Sequence, residues 1–117
     1  MATFEKQKLS GSTDGKAIKV AATSTPGTTV HTAVSGTTNM DEIYLYAMNS
    51  SASDVKLTIE WGEVTAPDGN IEQTIPAENG LSLIVPGLLI QNSSIIRAFA
   101  ATGNVILIHG YVNRITA

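Results

Sequence analysis

The feature that most constrains this chain is a set of short alternating segments separated by turn residues. In Val55 to Trp61 every second residue is apolar, and Lys56, Thr58 and Glu60 lie between them. Because successive side chains of a strand point to opposite faces, this alternation predicts a strand with one buried and one wet face. Helical periodicity is nearly absent, since every longer apolar window meets Gly, Pro or β-branched clusters. The pattern predicts an all-β protein.

Similar segments recur along the chain, with turn signals roughly every ten residues. The further predicted strands are Ala17 to Ala22, Thr29 to Ser35, Glu42 to Asn49, Ile71 to Ile75, Leu81 to Val85, Leu88 to Gln91, Ile95 to Ala100 and Val105 to Val112. Turn residues separate them, and Pro86-Gly87 in particular predicts a type II turn. We expect eight or nine short strands in an antiparallel β-sandwich or jelly-roll-like fold.

The length of 117 residues indicates one domain. We expect residues 17–117 to form the sandwich and residues 1–16 to be a flexible N-terminal arm. Four lysines against two carboxylates make residues 1–20 basic, on a chain with net charge −3. They are Lys6, Lys8, Lys16 and Lys19. Such an arm either lies on an acidic partner or only keeps the terminus soluble. Its removal is expected to leave a folded domain that no longer binds its partner.

Composition excludes several classes of function. The net charge and the 5% aromatic content argue against nucleic-acid binding. The absence of cysteine excludes a disulfide framework and thiolate metal sites. The apolar stretch LSLIVPGLLI is interrupted and too short to cross a bilayer, which predicts no membrane contact. MATFEKQKLSGS lacks the apolar core of a signal peptide, which predicts a soluble protein made in the cytoplasm.

Catalytic and ligand motifs are also missing from the sequence. His31 is expected at the surface, and His109 is expected to be a structural histidine in an apolar strand, either within the domain or at a subunit contact. Asp41 and Glu42 should diverge to opposite faces of a strand, and Glu60 with Glu63 should form a solvated rim. There is no Gly-x-Ser-x-Gly elbow and no phosphate loop. We therefore predict no cofactor, no metal and no enzymatic activity.

Two strands depart from the half-wet pattern. In IYLYAM, Tyr44 and Tyr46 point to one face of the strand and Ile43 and Leu45 to the other face. VILIHGYV, which contains Tyr111, is also apolar on both faces. A strand of this kind is either covered by another segment of the chain or buried against a second subunit. Homo-oligomerisation through a sheet face is our working hypothesis.

The order of these segments resembles small β-sandwich structural proteins of tailed bacteriophages, above all capsid decoration (cement) proteins. The likeness covers about residues 29–115, through HTAVSG, DEIYLYAMNSSASDVKLTIEWG and EQTIPAENGLSLIVPGLLIQNSSIIRAFAATGNVILIHGYVNRI. The matching positions are Asn49 to Ser53, Val55 to Gly62, Ile75 to Leu83, Gly87 to Ile90, Ser94 to Ala100 and Val105 to Val112. It is a pattern of strands and turns and contains no catalytic motif.

The resemblance implies a non-enzymatic virion protein on the capsid surface, often a homotrimer, assembled in the host cytoplasm. Its partner would be the major capsid protein, which it would bind and stabilise. Alternatives are a phage neck, tail or fibre component, or a carbohydrate- or receptor-binding module. The residues that we predict to bind partners are Lys6, Lys8, Lys16, Lys19, Tyr44, Tyr46 and Tyr111.

Overall fold

A computed structural model describes residues 2–117, and within this range it contains nine β-strands and no helix. The strands are β1 (Thr3–Lys8), β2 (Ile18–Lys19), β3 (Thr28–Thr32), β4 (Met40–Asn49), β5 (Val55–Trp61), β6 (Asn70–Ile75), β7 (Ser82–Ile90), β8 (Ile95–Ala100) and β9 (Ile106–Thr116). The prediction of an all-β chain is confirmed.

The strands form two antiparallel sheets that pack face to face. The five-stranded sheet has the order β1-β9-β4-β7, and β2 pairs with the same edge of β9 as β1. The four-stranded sheet has the order β3-β8-β5-β6. Apart from β1, the chain alternates between the sheets in the way that an eight-stranded jelly roll does. The predicted β-sandwich is confirmed.

The core between the sheets comes from the inward residues of the alternating strands. Ile43 and Leu45 of β4 meet Leu57 and Ile59 of β5 in one cluster, and all four are fully buried. Ile108 of β9 belongs to the same cluster. At roughly 1.5–3 kcal/mol per large apolar side chain, this burial is the main force that holds the sheets together.

The predicted turn at Pro86-Gly87 is wrong. Residues 82–90 form one continuous edge strand that stays paired with β4, and the register shifts between Ile43 and Tyr44. Gly87 has a φ of 97°, and a Cβ there would lie 3.0 Å from the Tyr44 ring. The proline and glycine therefore make a bulge, because Pro86 cannot donate to the ladder and an edge strand tolerates that loss.

The N-terminal segment also differs from the expectation of a flexible arm over residues 1–16. Met1 lies outside the described residues, but Thr3–Lys8 pairs along β9 from Thr116 to Tyr111. Leu9 is buried in the core, and the Gly11 N–H donates to the Val30 carbonyl. The sequence signal was weak because β1 is an edge strand with polar, exposed side chains. Removing residues 1–16 would delete a strand and a core leucine, so that deletion cannot test binding alone.

Candidate functional site

The outer side of the five-stranded sheet is an open surface with apolar character. We call it the open face and define it by the outward-facing residues of five strands. These residues are Phe4, Lys6, Lys8, Lys19, Met40, Glu42, Tyr44, Tyr46, Met48, Leu83, Leu89, Leu107, His109, Tyr111, Asn113 and Ile115. Cross-strand partners share a face, so the register places these side chains together.

Large apolar side chains on the open face retain much of their surface. Phe4 is 65% exposed, Leu83 49% and Leu89 53%. Phe4 lies opposite Ile115 at one edge, whereas Leu83 and Leu89 lie at the other edge, beside Tyr46 and Glu42. Scattered single apolar residues are normal on protein surfaces, but a contiguous group indicates an interaction site.

Two of the tyrosines that we predicted to bind a partner form the centre of the open face. Tyr44 and Tyr111 are directly opposite in the β4–β9 register, and their rings stack with centroids 4.7 Å apart and planes 15° apart. The Lys6 Nζ lies 5.4 Å from the Tyr111 ring centroid, within cation–π range. Burial and the carboxylate of Glu42 raise the pKa of Tyr44 above its ordinary value of 10.0.

Three of the four predicted lysines border the same face. Lys6 and Lys8 lie on β1 opposite Asn113 and Tyr111, and Lys19 on β2 lies opposite Leu107. Lys16 is separate, in the turn before β2, where its N–H donates to the Thr13 carbonyl. The structure thus brings together six of the seven predicted residues, in a lysine-bordered face with an aromatic centre and a leucine edge.

A second polar group lies inside the sandwich, beneath β1. The expectation that His31 is a surface residue is wrong, because its side chain is buried and its Nε2 lies 2.8 Å from Asp41 Oδ2. The Ser10 N–H donates to the His31 Nδ1 at 2.9 Å. Since Nδ1 accepts, Nε2 carries the proton and donates to the carboxylate. Both ring nitrogens are occupied, so the histidine joins the segment after β1 to β3 and β4.

Arg114 completes this group from β9. Its Nε donates to Asp41 Oδ1 at 2.7 Å and its Nη2 to Oδ2 at 3.0 Å, a bidentate pair. The Val34 N–H also donates to Asp41 Oδ2. Burial raises the pKa of Asp41, but the hydrogen bonds from Arg114 and His31 outweigh it and hold that pKa below its ordinary value. In turn, the Asp41 carboxylate raises the pKa of Arg114.

The predicted solvated rim of Glu60 and Glu63 is wrong for Glu60. Glu60 points to the outer side of the four-stranded sheet, yet it is 1% exposed. Its carboxylate accepts from the Thr25 hydroxyl at 2.5 Å and from the Gly27 N–H at 2.6 Å. The segment between β2 and β3 therefore covers this end of the sheet. Glu63 is exposed, as expected.

The sequence contained a signal for the Asp41–Arg114 pair that residue-type motifs do not capture. Asp41 is in the inward register of Ile43 and Leu45, and Arg114 is in that of Ile108 and Val112. A charge at an inward position of an otherwise apolar strand needs a partner of opposite sign. The predicted divergence of Asp41 and Glu42 to opposite faces is confirmed. Glu60 had no such signal, because its cover comes from a distant loop.

Across residues 2–117 no cluster of three His, Cys, Asp or Glu side chains could hold a metal ion. That part of the chain also has no helix long and apolar enough to cross a membrane. Comparisons with family models, with curated proteins and with solved structures give no match for this chain.

Proposed function

We propose that this protein is a non-enzymatic structural protein that decorates and stabilises a phage capsid by binding the major capsid protein through the open face. The observation that carries the proposal is the open face itself, where exposed leucines and stacked tyrosines lie uncovered beside three lysines. The sequence resemblance to phage decoration proteins gives the partner. The jelly-roll order agrees with it, since viral capsid domains use that order, although a fold alone does not define a function.

The size of the open face suits one stable contact. The five strands contain 38 residues, and at about 3.3 Å per residue and about 4.8 Å between strands they present roughly 600 Å². A standard protein interface buries about 800 Å² on each partner. The lysine border calls for acidic groups on one flank of the partner surface and apolar groups opposite the leucine edge.

The proposed activity is thermodynamic. A protein that binds the assembled shell and not the dissociated subunits stabilises the shell by mass action. In a homotrimer, which we propose as the working oligomer, three weak contacts act together and bind far more tightly than one. Neither effect requires a catalytic group.

The carbohydrate-binding alternative has less support from the tyrosines. A sugar stacks on a free aromatic face, but Tyr44 covers one face of Tyr111 and Lys6 lies over the ring as well. Trp61 is partly buried and packs against the core. A glycan panel that changes the Trp61 fluorescence would favour this alternative over decoration.

The test is binding to purified capsids of the phage that encodes the chain. We expect the double variant Leu83→Ser/Leu89→Ser to stay folded, because both side chains are about half exposed, and to lose cosedimentation with capsids. Its control is Gln73→Ser/Thr74→Ala on the exposed edge strand β6 of the other sheet, which should bind as the natural protein does.

Two results would contradict the proposal. Undiminished capsid binding by the leucine variant would remove the open face from it. Mass spectrometry of intact particles that finds a dozen copies or fewer, in place of hundreds, would indicate a neck, tail or fibre component.

A further inference from the structure

A pocket of about 430 Å³ opens where β1 ends and the chain turns toward β3. Its walls are the polar residues Gln7, Lys8, Ser10, His31 and Arg114. Small-ligand sites have volumes of about 300–1,000 Å³ and a few convergent polar groups. We propose that this pocket binds a small oxyanion, either a carboxylate or a phosphate group, with Arg114 as its direct charged contact and Lys8, which lies at the pocket edge with its side chain on the open-face side, as a second cation nearby.

Arg114 presents unused donors to the pocket. A guanidinium has five N–H groups, and the bidentate pair with Asp41 uses the one on Nε and one on Nη2. The other three have no partner within residues 2–117, and the side chain is 28% exposed. Asp41 therefore fixes the orientation of the guanidinium, and the free edge can donate to a second set of oxygens. Planar, fixed donors of this kind suit carboxylates and phosphates.

The acceptors that could repel an anion are shielded. Asp41 is fully buried and accepts from Arg114, His31 and Val34, so its oxygens do not line the pocket. His31 donates to Asp41 through Nε2, and its Nδ1 lone pair is used by the Ser10 N–H. Lys8 is exposed and forms no ion pair within the described chain. The lining thus includes two basic residues and no carboxylate.

One carboxylate near the pocket should repel a bound anion. Substitutions of opposite charge sign are therefore expected to change the anion affinity in opposite directions. Glu5 lies opposite Arg114 in the β1–β9 register and accepts a hydrogen bond from Gln7 Nε2 at 2.7 Å. It is exposed at the rim and does not line the pocket. Removing its charge should strengthen anion binding, whereas removing the Lys8 charge should weaken it.

The anion has two possible sources, a free ion or an acidic side chain of a partner protein. The site does not depend on the proposed capsid function, since Lys8 and Arg114 would bind the same group in either case. Inorganic phosphate and N-acetyl-aspartate amide separate the two sources, because the second presents a carboxylate as a polypeptide does.

The experiment is an NMR titration of the full chain at constant ionic strength, which follows the Arg114 Nε–H and Ser10 amide signals. We expect saturable shifts with phosphate, with the aspartate derivative, or with both. Lys8→Ala should weaken binding by at most about fivefold, the effect of one unit charge at roughly 4 Å in water. Glu5→Gln should strengthen it, and the control Lys16→Ala should leave it unchanged.

Preference for phosphate would identify a free ion as the source, and preference for the aspartate derivative would identify a protein side chain. Shifts that do not saturate with either probe would overturn the proposal. Equal weakening by Lys8→Ala and Lys16→Ala would also overturn it, since that result indicates a general charge effect. The spectrum of each variant shows directly that the fold is retained.

Discussion

The outer sides of the two sheets differ in polarity and in how much of each side the chain itself covers. The outward residues of the four-stranded sheet are mostly polar, with Ile95 and Phe99 as exceptions, and the segment before β3 covers one end of this sheet, where Glu60 is buried. The five-stranded sheet has aromatic and aliphatic outward residues at its centre and along β7, with lysines along β1 and β2, and Phe4, Leu83 and Leu89 are about half exposed or more. The more polar side is covered at one end, whereas large apolar side chains stay exposed on the more apolar side.

A chain that folded only to bury its own apolar surface would do the opposite. Covering the polar side places Glu60 out of water, which costs free energy unless its oxygens are bonded. Leaving Leu83 and Leu89 in water forgoes about 25 cal/mol for each Å² of apolar surface that burial would remove. The difference favours the view that the open face is reserved for contact with another molecule.

Each sheet also contains one buried carboxylate, and their partners differ. Asp41 in the five-stranded sheet pairs with the Arg114 cation and accepts a hydrogen bond from His31. Glu60 in the four-stranded sheet accepts hydrogen bonds only from neutral donors, the Thr25 hydroxyl and the Gly27 N–H. This contrast predicts that the two sheets respond unequally to loss of a carboxylate charge.

The largest effect is expected for Asp41→Asn. The substitution leaves Arg114 beside a neutral amide, places an amide NH₂ near other donors, and breaks a buried pair. Loss of one partner of such a pair costs about 3–5 kcal/mol in the free energy of unfolding. Urea denaturation measures it. The matched control is Glu42→Gln on the same strand, because Glu42 lies on the open face and accepts a longer hydrogen bond, 3.2 Å, from Asn113.

We expect Glu42→Gln to change the free energy of unfolding by less than about 1 kcal/mol. Equal losses for the two variants would show that the Asp41 pair does not stabilise the five-stranded sheet more than an ordinary surface contact. The two buried carboxylates would then not differ in the stabilisation that they give to their sheets.

The same pair predicts a dependence of stability on acid. Because the folded-state pKa of Asp41 is held below its ordinary value of 3.8, the folded state favours the ionised carboxylate. Its contribution is fully present above 3.8 and is lost as the pH falls through the lower, folded-state pKa. The difference in free energy of unfolding between the natural protein and Asp41→Asn should therefore begin to shrink only when the pH falls below 3.8.

Urea denaturation of both proteins between pH 6 and pH 2.5 measures this difference. A gap that stays constant to the lowest pH would contradict the assignment. A gap that closes well above pH 3.8 would contradict the direction of the pKa shift.

The sequence predicted the sheets better than it predicted what lies on them. Alternation located the central strands because inward positions must be apolar, and β5 and β8 have the predicted bounds. It failed at β1, whose edge position removes the need for an apolar face. It also failed at Pro86-Gly87, where a bulge and a turn use the same residues. The open face was predictable from Tyr44, Tyr46 and Tyr111, whereas the pocket needed the β1–β9 pairing, which no local pattern indicates.

A smaller effect than that of Asp41→Asn is expected for Glu60→Gln. The amide has nearly the same shape, and one oxygen can still accept from Thr25 or Gly27, but the NH₂ group must face the remaining donor. Loss of one hydrogen bond to a charged group costs about 1.5–3 kcal/mol, below the loss expected for Asp41→Asn because no buried cation is left unpaired. The control is Glu72→Gln, whose exposed pair with Lys56 contributes at most about 1 kcal/mol. Thermal and urea unfolding of the three proteins give the ranking. An equal loss of free energy of unfolding for Glu60→Gln and Asp41→Asn would contradict this prediction. It would mean that the neutral donors around Glu60 stabilise the four-stranded sheet as much as the Arg114 ion pair stabilises the five-stranded sheet.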